Sequence, residues 1–136
     1  MTEGRGLLAI AAGGAVGSLG RWSIGLLASG AVWATVLVNV TGALAMGLLV
    51  ARLANGVRHP LVRPFVSVGL LGGWTTYSTF ALDACSLGSE GLTGLLGYLG
   101  ATIGVGLGAA LLGLLVGDRL WRGGATTDAA IAEEEL

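Results

Sequence analysis

The sequence predicts an all-α membrane protein with four transmembrane helices, the third broken at mid-membrane, and three observations carry that prediction. The chain is 54% hydrophobic and only 11% charged, against roughly 25% charged residues in an average soluble domain. A water-soluble fold of this size would have too little polar side chain to cover its surface. Four stretches are apolar over about the 20 residues that a helix needs to cross a bilayer. Glycine fills 26 of 136 positions. In water each would weaken a helix by about 1 kcal/mol relative to alanine. In lipid the backbone has no competing hydrogen-bond partner, and small residues let helices approach closely.

The first span covers about residues 6–28 and continues through Arg21 into Trp22 with no cleavage site of small residues, so it reads as a span and not a leader. Ser29-Gly30 makes a very short turn into the second span, about 32–53, which should be its antiparallel neighbour. Asn55-Gly56, His59-Pro60 and Arg63-Pro64 mark the next connection. The third span is expected at about 65–83, a connection at 86–91, and the fourth span at about 92–117. Residues 1–122 thus form one transmembrane domain, followed by a mobile acidic tail over 123–136.

Charge orients these spans. No lysine is present, and of the seven arginines six, Arg5, Arg52, Arg58, Arg63, Arg119 and Arg122, fall at the N-terminus, around the second connection or after the fourth span. Four spans place those regions on one side, while the opposite connections carry only Asp83 and Glu90 nearby. The positive-inside rule then makes both termini cytoplasmic, in a cell inner membrane. A net charge of −1 gives nucleic acid nothing to bind, and the single Cys85 lies in no metal-ligand spacing.

Polar groups inside spans are costly and are functional candidates by default. Arg21 is the one basic residue within a span and away from its ends, and it reads equally as the wall of a wet vestibule or as a snorkelling anchor. Thr35 and Asn39 lie four apart on one helix face. The asparagine amide can donate to an anion or bond a neighbouring helix. Gly72-Gly73-Trp74-Thr75-Thr76-Tyr77-Ser78-Thr79-Phe80 is a poor continuous apolar helix. Its hydroxyls can satisfy freed backbone groups, so a break there is expected. Such a break exposes carbonyls toward a cation and amides toward an anion. Tyr77 and Phe80, three apart, would turn electropositive ring edges to one side, and they read also as packing. Tyr98 and Thr102 repeat the spacing of four in the last span.

These residues resemble the Fluc fluoride channels, also called CrcB proteins. Gly14-Ala15-Val16-Gly17 with Arg21 is similar to the family's first helix, and Thr35-Val36-Leu37-Val38-Asn39-Val40-Thr41-Gly42 to its second. Residues 72–80 resemble its Gly-Gly-X-Thr-Thr-Phe-Ser-Thr-Phe signature, and the likeness covers about 6–117. The resemblance implies an antiparallel homodimer, or a heterodimer with a homologous, oppositely oriented subunit, with two pores at the subunit interface. It implies that Asn39 is the pore asparagine, that Tyr77 and Phe80 hold the phenylalanine-box positions, and that Tyr98 and Thr102 begin the polar track. It places Ser78, Thr35 and Arg21 along the fluoride route and Asp83, usually glutamate, at the rear. The carbonyls of Gly72 and Thr75 would hold a structural sodium ion. Tyr77 for phenylalanine, Gly106 for a common serine and Asp83 for glutamate are the departures. The strong arginine bias favours pairing with an oppositely oriented homologue.

The function expected is passive, fluoride-selective export that relieves fluoride toxicity. Neutral donors replace the ion's water shell yet release it. Neither a phosphate-binding loop nor a mid-span carboxylate pair for a proton relay is found. A small multidrug exporter would need an acid inside the first span, and here only Glu3 stands near it. A non-transporting scaffold, its glycines and hydroxyls only joining helices, is the other alternative. No nucleophile–base pair suggests an enzyme.

Overall fold

A computed structural model describes residues 2–56 and 59–134, with side chains for 3–56 and 59–121. Arg58, the side chain of Arg122 and the side chains of the expected acidic tail therefore lie outside the described residues. Among the described residues all regular structure is helical. Helix α1 spans Thr2–Leu27 and α2 spans Val32–Ala54. A wide π-helical stretch, Arg63–Leu71, runs into the single turn α3, Gly72–Trp74. Helix α4 spans Tyr77–Glu90 and α5 spans Leu92–Leu99. A second π-helical stretch, Gly100–Val105, joins α5 to α6, Gly106–Glu134.

Among the described residues three helices are long and apolar enough to cross a membrane: Glu3–Leu27, Val32–Ala54 and Leu92–Trp121. The segment expected as a third span does not qualify as one helix, because Thr75 and Thr76 are extended, with ψ of 159° and 122°. Large apolar side chains cover the outside. Leu8 is 72% and Leu27 84% exposed, as suits a multi-pass membrane protein whose solvent is acyl chain.

Two glycine seams organise the bundle. A Cβ added to Gly13 or Gly17 on α1 would collide with the carbonyls of Phe65 and Leu70. Reciprocally, one on Gly69 or Gly73 would lie 2.6 Å from the carbonyls of Ile10 and Gly14. Both members of the pair carry small residues four apart, the spacing that lets membrane helices meet backbone to backbone. The second seam joins α2 to α6. A Cβ on Gly47 would strike the Ala110 carbonyl, and one on Gly113 the Leu44 carbonyl. Along each seam ascending positions meet ascending positions, so each pair runs parallel. The close partner of α1 is therefore the 63–74 segment, although α2 is joined to it by the shorter link.

That link turns where expected. Ser29 and Gly30 have φ of 51° and 72°, and the Gly30 amide closes onto Gly25 O at 3.0 Å. The connection expected over 86–91 is corrected. Helix α4 continues to Glu90, and Gly91 alone, at φ 151°, makes the corner to α5. Gly88 stays inside the helix, and the turn waits for Gly91, whose positive φ only glycine adopts readily.

Candidate functional site

The site is built around the interruption between α3 and α4, and Thr76 is its pivot. In a continuous helix the Thr76 N–H would bond the Gly72 carbonyl. Here it donates instead to Asn39 Oδ1 at 2.8 Å, while Asn39 Nδ2 donates to Thr76 O at 3.0 Å. One side-chain amide thus takes both backbone groups of a residue that is only 7% exposed. An amide is suited to this because it carries donor and acceptor side by side. One Nδ2 hydrogen of Asn39 remains over.

The Thr76 hydroxyl completes the break. Its Oγ1 accepts from Thr79 N at 3.2 Å, an N-cap for α4, and lies 3.1 Å from Thr79 Oγ1 and 3.3 Å from Ser78 Oγ. The cap diverts the donor that the Thr75 carbonyl would have had. The Gly72 and Thr75 carbonyls are in this way both deprived of their helical N–H partners. Thr75 O accepts from Arg21 Nη1 at 3.4 Å.

Around this pivot the expected site residues separate into two cavities. One, of about 450 Å³, is lined by Arg21, Thr35, Ser78, Thr79 and Thr76 among others. The second, of about 560 Å³, is lined by Asn39, Gly72, Thr75, Tyr77, Phe80 and Thr102 among others, again with Thr76 on its wall. The rings of Tyr77 and Phe80 are 5.9 Å apart at 42°, and Phe80 stacks on Tyr98 at 5.4 Å. Thr102, borne on the wide turn 100–105, has its Oγ1 buried with no hydrogen-bond partner among the described residues. Tyr77 is 81% exposed.

Asp83 and Tyr98 line neither cavity. Asp83 Oδ2 accepts from Thr35 Oγ1 at 2.6 Å and from Tyr98 Oη at 3.2 Å. The carboxylate is thus tied across three helices, behind Phe80. Among the described residues no group of His, Cys, Asp and Glu could hold a metal ion, so any cation here would rest on neutral oxygens.

Two contributors escape attention in the sequence. Thr76 reads there as one hydroxyl among four, although a threonine just ahead of an apolar run is a usual helix N-cap. Trp74 donates from Nε1 to Thr41 Oγ1 at 2.9 Å, and its ring covers Gly20. It locks α1, α2 and α3 together at the break.

Comparison with known proteins adds a family and relatives. A family profile described as "CrcB-like protein, Camphor Resistance (CrcB)" matches residues 8–114. The chain is 42% identical over 120 residues to the "Fluoride-specific ion channel FluC" of Paracoccus denitrificans, covering 84% of this chain and 95% of that one. To "Fluoride-specific ion channel FluC 2" of Nocardia farcinica it is 43% identical over 125 residues, 88% of each chain. To the "Fluoride-specific ion channel FluC" of Agrobacterium fabrum it is 39% identical over 119 residues, 82% of this chain and 95% of the relative.

Proposed function

The chain belongs to the CrcB family of membrane proteins, and from that premise we propose that it is a fluoride-selective passive channel. It is a transporter and not an enzyme, and its relatives carry fluoride in their printed names. In this reading the interrupted 63–90 segment is a third membrane crossing, broken at Thr75 and Thr76, which raises the count to four. Both termini lie in the cytoplasm, and the membrane is the cell's inner one. Cytoplasmic fluoride leaves down its gradient, relieving its toxicity.

The observation that carries the proposal is the second cavity. No charged side chain is among its lining residues; Asn39, Thr102, Tyr77 and Phe80 line it, and the Thr102 hydroxyl has no hydrogen-bond partner among the described residues. Fluoride sheds a tightly held water shell only where donors replace it, and neutral donors let it leave again. The N-terminal end of α4 also opens at the break, where the helix dipole favours an anion.

The pores belong to a dimer in this reading. The Tyr77 side chain is 81% exposed on the outside of the subunit and its hydroxyl makes no hydrogen bond among the described residues, so at a break within the membrane it calls for a partner surface or water. An antiparallel second subunit, either a copy or a homologue, would supply that surface. The same pairing bears on sodium. The Gly72 and Thr75 carbonyls, freed by Thr76, are the hard neutral oxygens that such an ion favours. A related subunit would double the set, and bound sodium would supply a fixed positive centre holding the two breaks together. Arg21 approaches one of these carbonyls, so the arginine and the ion share a ligand.

The test is fluoride efflux from liposomes holding the purified chain, with chloride as control. Selective fluoride loss supports the channel and shows self-pairing to suffice. Folded, dimeric protein that releases no fluoride, alone or with an oppositely oriented homologue, would overturn it.

A further inference from the structure

Away from the break, the arginine-bearing end of the bundle holds a groove that the fluoride reading leaves unexplained. It has a volume of about 480 Å³, and its wall is Met46, Leu49, Val50 and Leu53 of α2 facing His59, Pro60, Arg63 and Ser67. The four α2 residues recur at intervals of three, four and seven, one continuous apolar stripe along a helix face. His59 and Pro60 also line an adjoining cavity of about 390 Å³ with Arg5, Gly6, Leu61 and Pro64.

The two cavities together set cations against an apolar channel. Arg5 and Arg63 form no ion pair or hydrogen bond among the described residues, and no acidic side chain lines either cavity. His59 Nδ1 accepts the Leu61 amide at 3.3 Å, so a neutral imidazole carries its proton on Nε2 and offers a further donor. A cationic rim at one end of an acyl-sized apolar stripe matches one class of molecule. Basic pockets between helices at this depth bind anionic lipid headgroups.

We propose that this groove is a binding site for an anionic phospholipid, with the phosphate on Arg5, His59 and Arg63 and one acyl chain along Met46 to Leu53. The proposal rests on the membrane placement of the chain and is independent of fluoride conduction. A lipid seated there would bridge α1, α2 and the start of the 63–74 segment, and Ser67 Oγ, which contacts Met46 Sδ at 3.7 Å, would lie beneath its chain.

The experiment is native mass spectrometry of the detergent-purified dimer with added phosphatidylglycerol or phosphatidylcholine of the same acyl length. Phosphatidylglycerol should be retained preferentially. Each of Arg5→Gln and Arg63→Gln should weaken its retention about fivefold, while circular dichroism and fluoride efflux stay as in the wild type. Val50→Trp, which fills the stripe and keeps the cations, should lower retention of long-chain phosphatidylglycerol too. Equal retention of both lipids would overturn the proposal. So would unchanged retention in the arginine variants, or an equal effect of inorganic phosphate. A dimer that holds no lipid because a second copy covers the groove would also overturn it.

Discussion

Replacing Asn39 with alanine tests whether the amide holds the break or only faces the ion. The substitution removes both hydrogen bonds to Thr76, of 3.0 and 2.8 Å. Side-chain hydrogen bonds in membrane proteins average about 0.6 kcal/mol each, so two set a lower bound of about 1 kcal/mol. Thr76 is 7% exposed, and stranding its N–H and C=O without water raises the cost to about 3 kcal/mol. Asn39→Asp keeps an acceptor for the Thr76 N–H and loses the donor to its carbonyl, so its stability should fall between the two. Its carboxylate would repel an anion, so its fluoride efflux should be no better than that of Asn39→Ala. Thermal unfolding in detergent gives the first order and liposome efflux the second. The two orders should therefore differ. Asn39→Ala protein as stable as the wild type would refute the bridging role drawn from these distances.

Gly113→Ala should unfold well below the wild type, by about 1–3 kcal/mol as overpacking costs, because its Cβ would strike the Leu44 carbonyl. Gly108→Ala, with nothing within 4 Å of its Cβ, should match or exceed the wild type in the same melt. A double-mutant cycle of Thr35→Val and Asp83→Asn should return a coupling of about 1.5–3 kcal/mol, the range for hydrogen bonds to a charged group, measured by chemical or thermal unfolding. Additive effects would remove the 2.6 Å contact from the account. A reporter fused to the C-terminus should give a cytoplasmic signal only, since with four crossings the six arginines other than Arg21 would all fall at or near one face of the membrane. An equal mixture of signals would argue that the chain inserts both ways and pairs with itself.

Helical membrane architecture was legible because composition alone forbids a soluble surface, and the first link was legible because Ser29-Gly30 supplies the left-handed residues a tight turn needs. Which helices pair was not. Short connections suggest that α1 and α2 pack together. Yet the Gly13–Gly17 and Gly69–Gly73 spacings permit a closer backbone approach, and dispersion between backbones decides the partner. The end of α4 was placed too early because Ser86, Gly88 and Ser89 look like loop residues, whereas the helix runs through these exposed positions, Ser89 Oγ donating to the Ser86 carbonyl at 2.6 Å. Asn39 and Thr35 were visible as polar residues on one face, but their partners were not. Nothing in spacing says that Asn39 meets Thr76 and that Thr35 meets Asp83, because both contacts span more than 30 residues.

The break answers two opposed demands. A conduction path for a strongly hydrated anion needs donors facing its lumen, while a break in hydrocarbon must first satisfy its own backbone. Asn39 and the Thr76 hydroxyl meet the second demand locally, closing every polar group of Thr76 within the chain. The donors left over are the second amide hydrogen of Asn39, the Thr102 hydroxyl and the uncovered Tyr77, and of these only Asn39 also holds the break. Substitutions at Thr102 and Tyr77 should accordingly alter conduction at nearly unchanged stability, whereas those at Asn39 and Thr76 must disturb both. Asn39 serves both demands and is therefore the least free to change, whereas Thr102 and Tyr77 can be tuned for ion passage without touching the bonds that hold the break.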